Sequence, residues 1–417
     1  MLIGRTPPPE EVFTPRNPEV NERMYIERSK LERDLQNALK GNQHIIIHGE
    51  SGTGKSWLYK RVFALTKTHY EVGNLANASR FKGIAKELEN LVDRKGDAEV
   101  TEYTEEKSAG ASAGVFKGDL KHSKKHVKGR KEPFERCLEA IRKDGGSGPA
   151  VLVLDNLESI FDSADLMNEL ADLVILLDDP RYAKYRVRLL LVGIPHGVRD
   201  YFNRTKNRAP VANRLVELPE VSRLSDREAT SFINRGFVDV LKYAFGPDAR
   251  SQVTYHIPWV TDRIPQRLHE YCLHLAYLAQ QNANTVTTEM FEEADRMWLS
   301  GSLSLAYGVI ERLMNKRDAK VGRRNQTLYV LGRIGPSEFH VPDVEALLRS
   351  HFPSTTFAKT LNVSGTLSDL SKGEAPLLRR APNADGYIFM DPVFRMCLRA
   401  MLRKRGESVT RVDTTSI

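Results

Sequence analysis

The stretch His44-Ile45-Ile46-Ile47-His48-Gly49-Glu50-Ser51-Gly52-Thr53-Gly54-Lys55-Ser56 decides the fold. Three consecutive isoleucines predict a strand buried on both faces. The glycines that follow predict a tight loop, and Lys55 to about Leu65 predicts a helix. Strand, glycine loop and helix are the context required by G-x-x-x-x-G-K-[ST], which residues 49–56 match at every fixed position. The chemistry follows from the residue types. Glycines let backbone N–H groups turn inward around phosphate, and a helix start presents its positive end to the same charge. Gly49, Glu50, Ser51, Gly52, Thr53, Gly54, Lys55 and Ser56 are therefore expected to cradle a nucleoside triphosphate, ATP or GTP. Lys55 would reach the β and γ phosphates, and Ser56 would ligate magnesium.

The second half of such a site is expected in Val151-Leu152-Val153-Leu154-Asp155-Asn156-Leu157-Glu158. Four apolar residues make a buried strand whose end delivers Asp155 beside the loop, where it would hold Mg2+ through water. This role is preferred over that of a helix cap. Hydrolysis also needs a polarised water. Many P-loop ATPases place a glutamate directly after the aspartate, but here that position is Asn156; Glu158, two residues on, is the candidate substitute. A third buried strand, Arg188 to Val192, runs into Gly193-Ile194-Pro195. Gly193 has no side chain to act as the polar sensor often found there, and His196 is the nearest alternative. Arg204, Arg208 and Arg214 precede the next strand, Leu215 to Leu218. Arg214 is the preferred finger toward a neighbouring subunit's γ-phosphate, with a local salt bridge as the competing role. Pro265 opens a helix with good first-turn chemistry. Arg267 is then placed to contact the γ-phosphate, with Arg263 as competitor.

Outward from these motifs, residues 1 to 20 are proline-rich and polar and read as an extended arm. Ser29 to Lys40 predicts a helix with Leu31, Leu35 and Leu39 on one face. Residues 96 to 131 combine Ala109 to Gly114 with Lys117, Lys121, Lys124, Lys125, Lys128, Arg130 and Lys131, which reads as a basic insertion in the core. Helices are expected from about Pro133 to Lys143 and Ser163 to Leu177. From Ser225 the pattern turns helical, with segments to about Tyr243, from Pro265 to Gln281 and from Thr288 to Leu299. The tail predicts helices at Asn325 to Ile334, Val341 to Ser350 and about Thr366 to Ser371. A strand pair ending at Tyr387-Ile388-Phe389 and a helix from Pro392 to Arg403 follow, which is winged-helix order. The expected fold class is α/β: a P-loop NTPase parallel-sheet core with a helical lid and a C-terminal winged helix. The expected domains are an arm and first helix (1–40), the core (41–222), the lid (223–300) and the winged helix (301–417).

Composition excludes other classes. With 41% hydrophobic and 28% charged residues the chain reads as globular. No apolar run approaches the roughly 18 residues of a membrane span, and the N-terminus lacks a secretory layout, so a cytoplasmic location is the default expectation. Cys137, Cys272 and Cys397 lack metal-ligand spacing and read as core residues. A formal charge of +8 favours an acidic partner such as nucleic acid.

Together these residues resemble the AAA+ ATPases, in particular the initiator or origin-recognition-like, archaeal-type branch, with features of the STAND signalling ATPases. Met24 to Glu32 resembles the family's segment leading into the first helix. Asn213 to Pro219 with Leu224-Ser225 resembles its run into the lid, Pro265 to His269 its sensor-2 helix, and Asp391 to Arg395 the winged-helix ending of that branch. The resemblance covers about Met24 to Arg403. It implies an Mg2+-dependent ATPase that assembles as a homo-oligomer and acts on double-stranded DNA or a DNA-bound complex. The departure at Asn156 is similar to some STAND regulators, which implies the alternative of an ATP-dependent switch acting through a protein partner.

Overall fold

The computed structural model describes residues 6–94, 131–193, 211–315, 322–381 and 385–414. The expected basic insertion, apart from Lys131, lies outside the described residues, as do His196, Arg204 and Arg208. The chain forms two compact units. One comprises Glu27–Ser51 and Lys55–Ser222; the other comprises Met1–Ile26, Gly52–Gly54 and Arg223–Ile417.

The Glu27–Ser222 unit is built on five parallel strands: β1 (His44–His48), β2 (His69–Asn74), β3 (Ala150–Asp155), β4 (Val187–Gly193) and β5 (Leu215–Glu217). Their order is β2-β3-β4-β1-β5. The apolar runs seen in the sequence are explained by burial on both faces. Ile45, Ile47, Val151, Val153, Leu190 and Val192 pack on one side, against Leu58 and Val62 of the helix Lys55–Thr66 and Leu35 of the helix Ser29–Lys40. Ile46, Leu152, Leu154, Leu189 and Leu191 pack on the other, against helices Leu75–Phe81, Ile84–Asp93, Pro133–Gly145 and Ala164–Leu176. Successive strand residues thus alternate between two cores, as a period of two requires. Arg188 ties the helix Ser29–Lys40 to the sheet by donating to the carbonyls of Ala38 and Leu39. Strand β2 was not expected from sequence. Its residues His69-Tyr70-Glu71-Val72-Gly73-Asn74 mix polar and apolar types because it is the sheet edge, half-buried along most of its length.

The other unit is largely helical. Ser225 starts the helix Asp226–Asn234 with a capping box to Glu228. The expected continuation to Tyr243 instead widens into a π-helical turn over Arg235–Val240. Gly236 lies in that turn against the ring of Phe13, where no Cβ would fit. The N-terminal arm is accordingly not free: it carries a short helix, Pro9–Val12, and buries Val12 and Phe13 completely. Helices Ala249–Val260, Pro265–Gln281, Met290–Ser300 and Ser304–Leu313 follow. Beyond them come helices Arg323–Leu331, Val341–His351 and Val363–Leu370. Strand Tyr387–Phe389 pairs antiparallel with both Glu338–Phe339 and Leu378–Arg380. The helix Pro392–Met401 leads into a hairpin, Leu402–Arg405 with Ser408–Arg411. One hydrophobic core runs through the unit. All three cysteines are buried and free. No helix among the described residues is long and apolar enough to cross a membrane.

Candidate nucleotide site

The chain leaves β1 toward the β2 edge of the sheet, whereas β4, beside β1, is followed in sequence by β5 at the opposite edge, so the strand order switches direction between these two neighbours. Ligands of open α/β sheets bind outside the strands' carboxyl ends at such a switch point. The loop leaving β1 begins there. Gly52 and Gly54 have φ of +82° and +96°, values that only glycine adopts without strain. Lys55 heads the next helix, and its Nζ donates to the carbonyls of Gly49 at 2.7 Å and Glu50 at 3.0 Å. Burial lowers the Lys55 pKa, while the carboxylates of Glu158, Asp155, Glu50 and Glu220 oppose the shift. The ammonium is thus a desolvated cation held by loop carbonyls and surrounded by negative charge.

Asp155 ends β3. Burial raises its pKa; the backbone N–H of Asn156, the Lys55 charge and the Ser56 hydroxyl act against this. Asn156 N–H donates to Asp155 Oδ1 at 2.8 Å. Asp155 and Ser56 therefore offer hard oxygen donors next to each other, the donor set that suits a magnesium ion with retained waters.

Asn156 has φ +61°, a left-handed conformation that asparagine tolerates better than glutamate. Its Nδ2 donates to Asn74 Oδ1 at 2.9 Å, tying the end of β3 to the end of β2. From this bend the chain enters a 3-10 turn, Leu157–Ile160, which brings Glu158 back among the groups around Lys55. Glu158 Oε2 is buried without a hydrogen-bond partner. Gly193 makes room for this turn. A Cβ at position 193 would lie 3.1 Å from Leu157 Cβ and 3.7 Å from Glu158 Oε2. The missing sensor side chain and the displaced glutamate are thus two halves of one packing arrangement, which the sequence does not reveal.

The arginines behave differently. Arg214, just before β5, pairs with Asp178 at 2.6 Å. Arg267 lies in the other unit and pairs with Glu270 one turn along its own helix, at 2.9 Å. Glu270 also accepts from Gln266 Nε2 and Trp298 Nε1, each at 3.1 Å. Arg263 pairs with Asp226 at 2.9 Å. Lys55, Ser56, Asp155 and Glu158 are brought together; Arg214 and Arg267 have carboxylate partners of their own.

Residues 37–202 match the family model described as the AAA domain. The matched stretch is similar to an AAA domain over less than half of the chain. No curated protein matches the chain in sequence. Among solved structures, the Walker-type ATPase of Pyrococcus abyssi is similar at 16% identity with a TM-score of 0.53, covering 93% of this chain and 99% of that one. The ORC2 protein of Aeropyrum pernix in its ADP form is similar at 13% identity with a TM-score of 0.49, covering 92% and 94%. Cdc6p from Pyrobaculum aerophilum shares 16% identity with a TM-score of 0.42, covering 94% and 96%. At 16% identity the likeness to the Pyrococcus abyssi protein shows the fold alone. The AAA match takes in β1 to β4 together with the loop, Asp155 and Glu158.

Proposed function

We propose that the protein is an ATP-hydrolysing, Mg2+-dependent AAA+ ATPase of the origin-recognition-like type. In this reading nucleotide-dependent assembly lets it act on double-stranded DNA or a DNA-bound complex. The observation that carries the ATPase part is the gathering of Lys55, Ser56, Asp155 and Glu158 at the end of a parallel sheet. Lys55 exchanges the carbonyls of Gly49 and Glu50 for phosphate oxygens. Ser56 and Asp155 hold the metal. Magnesium supplies neutralisation of charge on the transferring phosphoryl group. Glu158 Oε2, buried without a partner, accepts a proton from the attacking water. Arg267 and Arg214 exchange their carboxylate partners for the γ-phosphate, Arg214 on a neighbouring subunit.

The DNA part rests on three features. The net charge is +8. The segment from Arg323 to Phe389 runs helix, strand, helix, a single helical turn at Pro353–Thr356, helix and hairpin, which suits a winged helix. Arg323 and Arg324 begin its first helix. A specific observation favours a second reading, an ATP-dependent switch acting through a protein partner. Asn156, at the usual position of the catalytic glutamate, is committed to Asn74, which suits slow turnover and a long-lived bound state.

The experiment is the ATPase rate of the purified chain with and without duplex DNA, alongside DNA titrations at several salt concentrations. The proposal expects DNA-stimulated turnover and an affinity that falls steeply with salt. ATP-driven oligomers without DNA affinity would transfer support to the switch. A chain that neither binds nor hydrolyses ATP would overturn both.

A further inference from the structure

Outside the stretch similar to an AAA domain, the largely helical unit contains a cavity of about 680 Å³. Its volume lies in the range of small-molecule sites. The helix Ala249–Val260 presents Gln252, Tyr255, His256 and Trp259 to it, residues spaced three and four apart on one face. Arg333, two residues beyond the helix Arg323–Leu331, and His351, at the end of the helix Val341–His351, complete the wall.

The lining contains no carboxylate. Arg333 is only partly exposed. Its guanidinium lies 3.3 Å from the ring centroid of Tyr329 and 5.3 Å from that of Trp259, and donates to Tyr329 O. Among the described residues it has no carboxylate within ion-pair distance. Burial pulls its pKa down to about 10, against the Tyr329 and Tyr255 hydroxyls, and with Arg403 adding to the shift. His351 is held below its usual pKa by burial and by the charges of Arg333 and Lys404. The acid that the lining residue His256 contacts, Asp295, accepts from His256 Nε2 at 3.1 Å, the Tyr271 hydroxyl at 2.9 Å and Arg403 at 2.5 Å. A half-buried guanidinium without a counter-charge is unfavourable unless an anion completes it. The aromatic component is also unusual: Tyr255 is 72% exposed at the rim, and the indole N–H of Trp259 has no acceptor among the described residues.

We propose that this cavity is a second ligand site, built for a small anion that carries a flat ring, of the nucleotide class. Arg333 takes the phosphate in charge-assisted hydrogen bonds. Tyr255 stacks on the ring, and Gln252 and Trp259 donate to its polar edge. The inference depends on the cavity alone and not on the reading of residues 49–56.

The test uses the full chain carrying Lys55→Ala, so that binding at the phosphate loop is removed, with AMP as the probe and calorimetry as the readout. The expected result is saturable AMP binding that falls about tenfold or more in Arg333→Gln, the loss of one charged hydrogen bond. A fall of several-fold is expected in Tyr255→Ala, whose exposed position leaves folding intact. Inorganic phosphate and adenosine, each half of the probe, should each bind at least about tenfold more weakly. A 5′-phosphorylated single-stranded oligonucleotide that binds through Arg333 where AMP does not would place the same chemistry at a strand end. Three results overturn the proposal: neither probe binds, affinity is equal in both variants with melting temperatures unchanged, or inorganic phosphate binds as tightly as AMP.

Discussion

Half-buried Asp155 and buried Asp262 both lie among cations, and their surroundings differ. Asp155, at the end of β3, has a raised pKa because burial outweighs Lys55, Ser56 and its own backbone contact. Asp262, in the helical unit, is more deeply buried, yet its pKa is lowered. Burial is outweighed there by the charges of Arg395, Arg399 and Arg223, which lie at 2.5, 3.2 and 2.6 Å. Asp262 is a saturated hub that joins three segments of one unit. Asp155 is an under-compensated carboxylate facing a cation it does not fully share. An incompletely satisfied charge is one that a ligand can complete; a saturated charge serves the fold.

That contrast can be broken in several ways. The largest effect is expected from Lys55→Ala, which removes the desolvated cation of the loop. ATP affinity should fall by about two orders of magnitude or more, the worth of its charged hydrogen bonds. Unchanged affinity in a direct binding assay would place the nucleotide elsewhere. Next comes a pair of substitutions compared by thermal melting without nucleotide. Asp262→Ala leaves two buried guanidinium groups and a half-buried one without their shared partner and should cost about 3–5 kcal/mol. Asp155→Asn should leave the melting temperature unchanged or raised while abolishing Mg2+-dependent turnover. Equal destabilisation by both would erase the distinction between the two aspartates.

A smaller effect concerns pH. His44 is buried with its pKa lowered to about 4, by burial and by Arg188 and Arg214 against Asp178. Its Nδ1 accepts the Leu189 N–H. The unfolded chain therefore binds a proton near pH 6.5 that the folded chain refuses. Stability conferred by this group is full above about pH 6.5 and is lost as pH falls toward 4. The upper bound is about 3 kcal/mol from the size of the shift. His269 in the other unit, lowered to about 3 by burial alone, acts in the same direction. Melting curves between pH 7 and 4 should slope less steeply in His44→Asn; an unchanged slope would remove His44 as the cause.

The smallest effect on stability belongs to Arg214→Ala. Its partner Asp178 is 58% exposed, and such ion pairs contribute about 0–1 kcal/mol. ATPase activity should fall nonetheless if subunits share sites, and mixing with Lys55→Ala chains should restore part of it. A wild-type rate independent of concentration, without rescue on mixing, would remove the shared-site model.

The strand, loop and helix around residues 44–66 and the strand ending at Asp155 were legible in the sequence. Each depends on neighbours along the chain: an apolar run, glycines at positive φ, and a carboxylate following four buried residues. Edge strand β2 was not legible, because its alternation lasts only four residues, His69 to Val72, before Gly73-Asn74, which read as a turn. The helix Ala249–Val260 was also missed, since Pro258 lies within it. The π-helical turn at Gly236 was hidden because its cause, Phe13, is more than two hundred residues away.

The sequence by itself determined that a phosphate loop, a strand-end aspartate and a glutamate two residues late exist, because hydrogen-bonding capacity and backbone freedom are local properties. Only the tertiary structure decided what those residues face. It set Glu158 beside Lys55 by bending the chain at Asn156 and leaving Gly193 bare. It gave Arg214 to Asp178 and Arg267 to Glu270. It left Arg333 without a carboxylate while giving Asp262 three arginines. The energy of a buried charge depends on every group within several ångströms, whatever its distance along the chain, and that neighbourhood is a product of packing.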